Sequence, residues 1–425
     1  MSFIDKVLES IPIPRVVRVR QRFDRPRIDC IADHLLEKLE NRGVWKTLKR
    51  GMRVAITGGS RGISNLPLII KALSDRIKAS GADPFVFPAM GSHGGATAQG
   101  QKKMLATLGL TEEYLGVPVL SSMETIQIGT TANGLPVFVD ALAWAADGIV
   151  IVNRIKPHVG FRGKYESGLV KMLAIGLGKQ RGAEICHQLG FGKMEENIVS
   201  MAVECLSKGK VLFGIGIVEN PYHETCKIEV WKPEEILRAE PGLLAEAKGL
   251  LPKIHLNPLD VLVLDEIGKD IGGTGFDNNV VGRFHTPFIQ GDALTARITR
   301  IIALDLSDKT HGNGNGLGIL DFTTHRAFKK FDFEQTYPNC LTSTVPQSVK
   351  IPMVLKNDRQ AIQAAIKTCN ILDFKKVRLA RVKNTLSLDV MEISENMVDE
   401  ARQNLYVDVL SEPYELQFDS HGNLF

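Results

Sequence analysis

The chain has 425 residues, 44% of them apolar, and its 52 Lys and Arg nearly balance 48 Asp and Glu for a net charge of +4. That length exceeds what one compact core usually holds, so two domains are expected. With no dense run of like charge, neither a nucleic-acid nor a membrane surface is implied, and small charged ligands fit the slight basicity as well.

Short apolar runs alternate with helical patterns along the first half of the chain. RVAIT (53–57) reads as a strand, and LPLIIKALSDRIKAS follows with Leu66, Ile69, Ile70, Leu73 and Ile77 on one helical face. PFVFPAM (84–90) reads as the next strand and TAQGQKKMLATLG as its helix. PVFVD (136–140), a short helix, GIVIVN, a helix around Glu195 to Leu206, and VLFGIGIV (211–218) continue the series. The economical architecture is a mostly parallel sheet covered by helices. A second start is visible near residue 256, where KIHLNPLD carries turn chemistry and DVLVLDEIG (260–268) opens a fresh strand. TRIIALDLS, RQAIQAAIKTCNIL, VRLARV, LSLDVME and SENMVDEARQN then supply a second α/β unit. The fold class is therefore two α/β domains with mostly parallel sheets, 1–255 and 256–425, with an active-site cleft expected between them.

The six cysteines, Cys30, Cys186, Cys205, Cys226, Cys340 and Cys369, form no CxxC pair, which argues against a zinc ribbon and a disulfide scaffold and for a reduced, cytoplasmic setting. The stretch MSFIDKVLESIPIPRVVRV is charged throughout, and no run of about 18 apolar residues occurs, so neither a signal peptide nor a membrane span is expected.

In open α/β sheets, ligands bind beyond the carboxyl ends of strands. Four glycine-rich loops fall there: TGGSRGISN (57–65), MGSHGGAT (90–97), NRIKPHVGFRGK (153–164) and GKDIGGTGFDNN (268–279). The first is not the turn of a short-chain dehydrogenase, because Ser64 stands where the third glycine is needed and none of the six tyrosines has a lysine four residues later. Its backbone N–H groups, at Gly59 and Ser60, and Arg61 are suited to an anion, with a plain tight turn as the alternative. GLGKQRG (176–182) lacks the spacing and the Ser or Thr of a P-loop. His93 is flanked by glycines, with Gly94 and Gly95 allowing a ligand close to the backbone, and Thr97 is positioned as a helix cap. His158 sits between Pro157 and Gly160. Two imidazoles in such loops can move protons near neutral pH. Lys171 lies in the otherwise apolar SGLVKMLAIGLG, where the alternatives are snorkelling to the surface or amine chemistry favoured by burial. His187, beside Cys186, could ligate a metal only with other donors.

The order of GSHGGAT with His93, a strand leading to PHVGF with His158, and a glycine-rich segment with Lys171 and His187 sixteen apart resembles the nickel-dependent lactate racemase family. The resemblance implies a nickel-pincer nucleotide, a pyridinium mononucleotide joined to Lys171 as a thioamide, with nickel held by two sulfurs, a ring carbon and His187. It implies proton transfer by His93 and His158, hydride transfer from the α-carbon of a 2-hydroxy acid to the cofactor and back through a keto acid, and a substrate carboxylate held by Arg61. Gly59, Ser60, Gly94 and Gly95 would lie against the cofactor, whose synthesis requires other proteins. The sequence departs from the family where Gly58 replaces an aspartate and Gly94 an arginine. In GGTGFDNNVVGRFH, Asp277 and Asn279 are retained, but Val281, Gly282 and His285 replace Tyr, Gln and Lys, with Arg283 a candidate substitute for the missing lysine. This pattern suggests a roomier pocket, for a 2-hydroxy acid larger than lactate. The expected function is that of a racemase or epimerase of such an acid, with homo-oligomers allowed. The alternatives are a nucleotide- or organic-acid-binding protein on the same scaffold, and a dehydrogenase using free NAD, which the missing tyrosine–lysine pair disfavours.

Overall fold

The computed structural model describes residues 2–286 and 296–425. They form two units, Asp24–Leu251, and Met1–Phe23 with Pro252–Phe425, each built on its own sheet. In the first, RVAIT lies in the strand Arg53–Gly58, buried from Val54 onward. The helix Leu66–Ala79 buries Leu66, Ile69, Ile70, Leu73 and Ile77, the face expected from their spacing. Five strands follow the order Asp83–Pro88, Arg53–Gly58, Gly148–Arg154, Val211–Glu219, Thr225–Trp231. The first four are parallel and the last is antiparallel. Helices cover such a sheet on both faces, which is why GIVIV is an unbroken apolar run with all five residues buried.

One expected strand of that sheet lies elsewhere. Pro136–Asp140 pairs antiparallel with Thr125–Thr130 in a separate two-stranded ribbon. Asn133 and Gly134 turn the chain, Gly134 at φ +83°, and Thr131 N–H closes the loop on Leu135 O at 2.8 Å. An Asn-Gly pair between short apolar runs favours a hairpin over a crossover.

The second unit holds an eight-stranded sheet in the order Met353–Leu355, Phe322–Thr324, Ile298–Ala303, Leu259–Leu264, Leu379–Val382, Val390–Ser394, Val16–Gln21, Val407–Val409. The first five are mutually parallel and the remaining joins antiparallel. The break at Leu251/Pro252 falls near the expected 255/256, but residues 1–23 fold with the C-terminal unit rather than with 24–251. Val16–Gln21 alternates, burying Val17, Val19 and Gln21 and exposing Arg18 and Arg20, and Arg20 pairs with Val390. Gln21 fixes the register through a bond from Nε2 to Leu388 O at 2.7 Å. The architecture is thus two α/β units on mixed, mostly parallel sheets. No helix among the described residues is long and apolar enough to cross a membrane.

Candidate functional site

Three of the four glycine-rich loops leave the carboxyl ends of adjacent parallel strands, Arg53–Gly58, Asp83–Pro88 and Gly148–Arg154. The third runs into an interrupted helical stretch: an α-turn Leu169–Lys171, a π-helical segment Met172–Gly176, and the α-helix Lys179–His187. A π segment between α segments is strained and frequently marks a functional site. Here it lies between Lys171 and His187.

The start of that stretch is held by Glu240, fully buried on the helix Pro233–Gly249. Its Oε2 accepts from Leu169 N at 2.8 Å and Val170 N at 3.0 Å, satisfying two amides of the first turn. Burial pushes the Glu240 carboxyl up to about 7, against the pull of those two amides. Lys171, one residue on, is mostly withdrawn from solvent, and lost hydration draws its ammonium down to about 8. Arg61 lowers it further, by like charge, whereas Cys186 and Glu166 act the other way. A Cβ at Gly59 would lie 3.7 Å from Met172 Cε, so the turn before Arg61 abuts the residue after Lys171.

Two phenylalanines gather the remaining groups. Phe161 lies 6.0 Å from Lys171 Nζ and 4.5 Å, ring to ring, from His158. Phe191 lies 6.0 Å from His158 and 5.5 Å from His187. His158, Lys171 and His187 are therefore brought together around an apolar pair. His187 Nδ1 is 2.7 Å from Ala183 O, and a carbonyl only accepts, so Nδ1 carries the proton and Nε2 the lone pair. Burial takes this imidazole down to about 4, the Ala183 carbonyl opposing and Lys171 reinforcing the shift. It is neutral at physiological pH, as a metal ligand must be.

The His158 loop is fastened by Glu166, also fully buried, which accepts from His158 N at 2.7 Å and pairs with Lys248 Nζ at 2.6 Å. Arg162 donates to His158 O at 2.6 Å. His93 reaches the same helical stretch by another route. Gln101 Nε2 donates to Gly91 O at 2.9 Å and His93 O at 3.1 Å, and Gln101 Oε1 accepts from Lys179 Nζ at 3.0 Å. Lys179, the first residue of the helix that ends in His187, also donates to Pro88 O at 2.6 Å and pairs with Asp140 at 2.9 Å, both side chains fully buried. Burial lowers the Lys179 ammonium while Asp140 counters it.

Lys179, Glu166 and Glu240 were not singled out from the sequence. GLGKQRG drew notice only for failing as a P-loop, and the partners Asp140, Gln101 and Leu169 are remote in sequence or apolar.

Two glycines expected against a cofactor have different reasons for being glycine. Gly94 has φ +67° and a Cβ there would lie 2.7 Å from Gln101 N, so its bare Cα serves packing against the following helix, Ala98–Thr107. Gly95, at φ +64°, meets nothing within 4 Å and is required by the turn alone. Gly58, in place of an acid, would set a Cβ 2.8 Å from Leu105 Cδ2, so a side chain there would require Leu105 to shift. Ser60 is partly exposed in the turn. Arg283 and His285 belong to the other unit. Arg283 is engaged there by Asp321 and by the carbonyl oxygens of Ile298 and Thr299. His285 is buried and drawn down to about 4 by lost hydration and by Lys269. Asp277 and Asn279 bond to each other within one turn. Among the described residues, no three His, Cys, Asp or Glu side chains gather as a metal cluster.

Residues 20–198 match the lactate racemase N-terminal domain, a span that contains His93, His158, Lys171 and His187. This segment belongs to that family. The lactate racemase apoprotein from Thermoanaerobacterium thermosaccharolyticum is similar in fold, with a TM-score of 0.52 over 88% of this chain and 99% of its own, at 14% identity. The sequence matches no curated protein. Within the lactate racemase N-terminal domain, Lys171 and His187 thus share one helical stretch, and His158 and His93 approach it on separately anchored loops.

Proposed function

We propose that the chain is a racemase or epimerase of a 2-hydroxy acid that works with a nickel-pincer nucleotide held on Lys171 and His187. One observation carries this reading: an amine drawn to about 8 lies beside an imidazole whose Nε2 holds its lone pair. The residues fit the group. A partly deprotonated amine suits covalent attachment, and one protein imidazole is enough where the other metal donors come with the nucleotide. When bound, the group supplies a hydride acceptor for the substrate α-carbon. Arg61, on the turn whose Gly59 abuts Met172, would pair with the substrate carboxylate by a charge-assisted bond. Phe161 and Phe191 place apolar rings beside His158 and His187. His93 and His158 manage the hydroxyl proton.

The test is intact mass and nickel content after co-production with the proteins that make the cofactor. An adduct mapped to Lys171 with about one nickel per chain, and inversion of at least one 2-hydroxy acid, are expected. No adduct and no nickel, alongside a loaded lactate racemase control, would favour a binding protein instead.

A further inference from the structure

The loop that carries His93 is seated on the helical stretch between Lys171 and His187 with little side chain at the joint. A Cβ on Gly91 would lie 3.2 Å from Ile175 Cγ2 and 3.5 Å from Ala183 Cβ, and one on Gly176 would lie 2.9 Å from Ala89 O. Gly91, at φ +58°, and Gly176 thus let the backbone after the strand Asp83–Pro88 settle against the π-helical segment and the helix that follows it. Apolar contact of this kind is non-directional and does not by itself fix how the loop is oriented.

The directional element is Lys179. Its side chain is fully buried and its backbone is left-handed, at φ +54°. That backbone strains any residue with a Cβ, and burial strips an ammonium of water, so a glycine would be easier there on both counts. Replacing a buried ion pair by apolar groups is often neutral or stabilising, so stability alone gives no reason for the pair with Asp140. What the ammonium does is join separate elements. It donates to Pro88 O at 2.6 Å, where the strand gives way to the His93 loop, and to Gln101 Oε1 at 3.0 Å. The second bond settles which way the Gln101 amide faces, leaving Nε2 to donate to Gly91 O at 2.9 Å and to His93 O at 3.1 Å. Gln101 is itself fully buried, so a lost partner is not replaced by bulk water.

We propose that Lys179 is a positioning residue: acting through Gln101, it holds the main chain at His93 in register with the stretch that carries Lys171 and His187. This rests on the proposed function for the role it gives His93. Lys179 itself takes no part in the chemistry. It opens the helix that ends in His187, so one side chain ties the metal ligand and a proton-transfer group to a single point. A reacting group displaced by about 1 Å can lose about a hundredfold in rate, which is the scale on which such a tie matters.

Two variants of the full-length protein without cofactor test this by hydrogen exchange. Lys179→Met combined with Asp140→Asn removes both charges of the buried pair together, and the asparagine still offers an acceptor to the amides of Leu142 and Ala143. Gln101→Glu keeps an acceptor for Lys179 but cannot donate to Gly91 O or His93 O. Exchange is followed at 91–97 and at the strand Val211–Glu219. In both variants 91–97 is expected to exchange about tenfold faster while the strand is unchanged. Wild-type exchange at 91–97 in either variant would overturn the inference, and so would an equal loss of protection at the strand, which marks a general loss of stability. In the loaded enzyme both variants are expected to keep the adduct on Lys171 and the nickel, with kcat down about a hundredfold and KM within about threefold; a wild-type kcat would also overturn it. The exchange result holds even if the wild-type protein inverts no hydroxy acid, an outcome that counts against the proposed function alone.

Discussion

Replacing Lys171 by methionine is expected to stabilise the protein at neutral pH. The ammonium falls from an ordinary value of 10.5 to about 8, chiefly because burial strips its hydration. At about 1.4 kcal/mol for each tenfold change, that gap makes the charged side chain a liability of about 3 kcal/mol. Below pH 8 both the folded and unfolded chains hold the proton, so the whole penalty is present. Between pH 8 and 10.5 the unfolded chain binds the proton more than the folded one, and stability rises with pH. Above 10.5 both forms are neutral and the penalty is gone. Methionine has a similar length and no charge, and it forgoes the contact with Phe161 at 6.0 Å, worth about 0.5–1 kcal/mol. The net gain for Lys171→Met at pH 7 is therefore about 2–3 kcal/mol, shrinking towards zero above pH 10.5. Urea denaturation of both proteins from pH 6 to 11 measures the difference directly and needs neither cofactor nor substrate. A variant less stable than wild type at pH 7, or a difference flat across the range, would refute the account of a desolvated amine.

Glu240 has the opposite linkage, since its folded value of about 7 exceeds the ordinary 4.5. Wild-type stability should fall as pH rises from 4.5 through 7, and Glu240→Gln, which keeps an acceptor for Leu169 and Val170, should lose that slope; an unchanged slope in the variant would assign it to other groups. Gly94→Ala is expected to cost about 1–3 kcal/mol, from the left-handed backbone and the approach to Gln101 N. A melting temperature equal to wild type would show that the His93 loop is looser than described.

The sequence made the Asp24–Leu251 sheet readable where local pattern decides the outcome. Val54 to Ile56 form an apolar run, and the Leu66–Ile77 spacing repeats at the helical period. Local pattern has no hold on Val16–Gln21, whose alternation announces a strand but whose partner Val390 is hundreds of residues away. At the site, histidines and glycines in loops announced themselves, and His158, Lys171 and His187 are indeed gathered by Phe161 and Phe191. The buried charges that fasten them were not legible. Lys179 among glycines looks like any surface lysine until Asp140, Gln101 and Pro88 close around it. Nor could a pattern say that Gly94 is glycine for its approach to the helix that follows it.

The placement of Val16–Gln21 also has a cost in time. The strand lies between Val390–Ser394 and Val407–Val409, both made hundreds of residues after it. At roughly 5–20 residues per second, about 370 residues separate its emergence from that of its first neighbour, an interval of roughly 20–70 s. Throughout it an apolar edge waits unpaired while Asp24–Leu251, whose strands all lie within its own span, can fold to completion. A nascent chain stalled after residue 251 should therefore carry a finished first unit and a tail still open to proteases and chaperones.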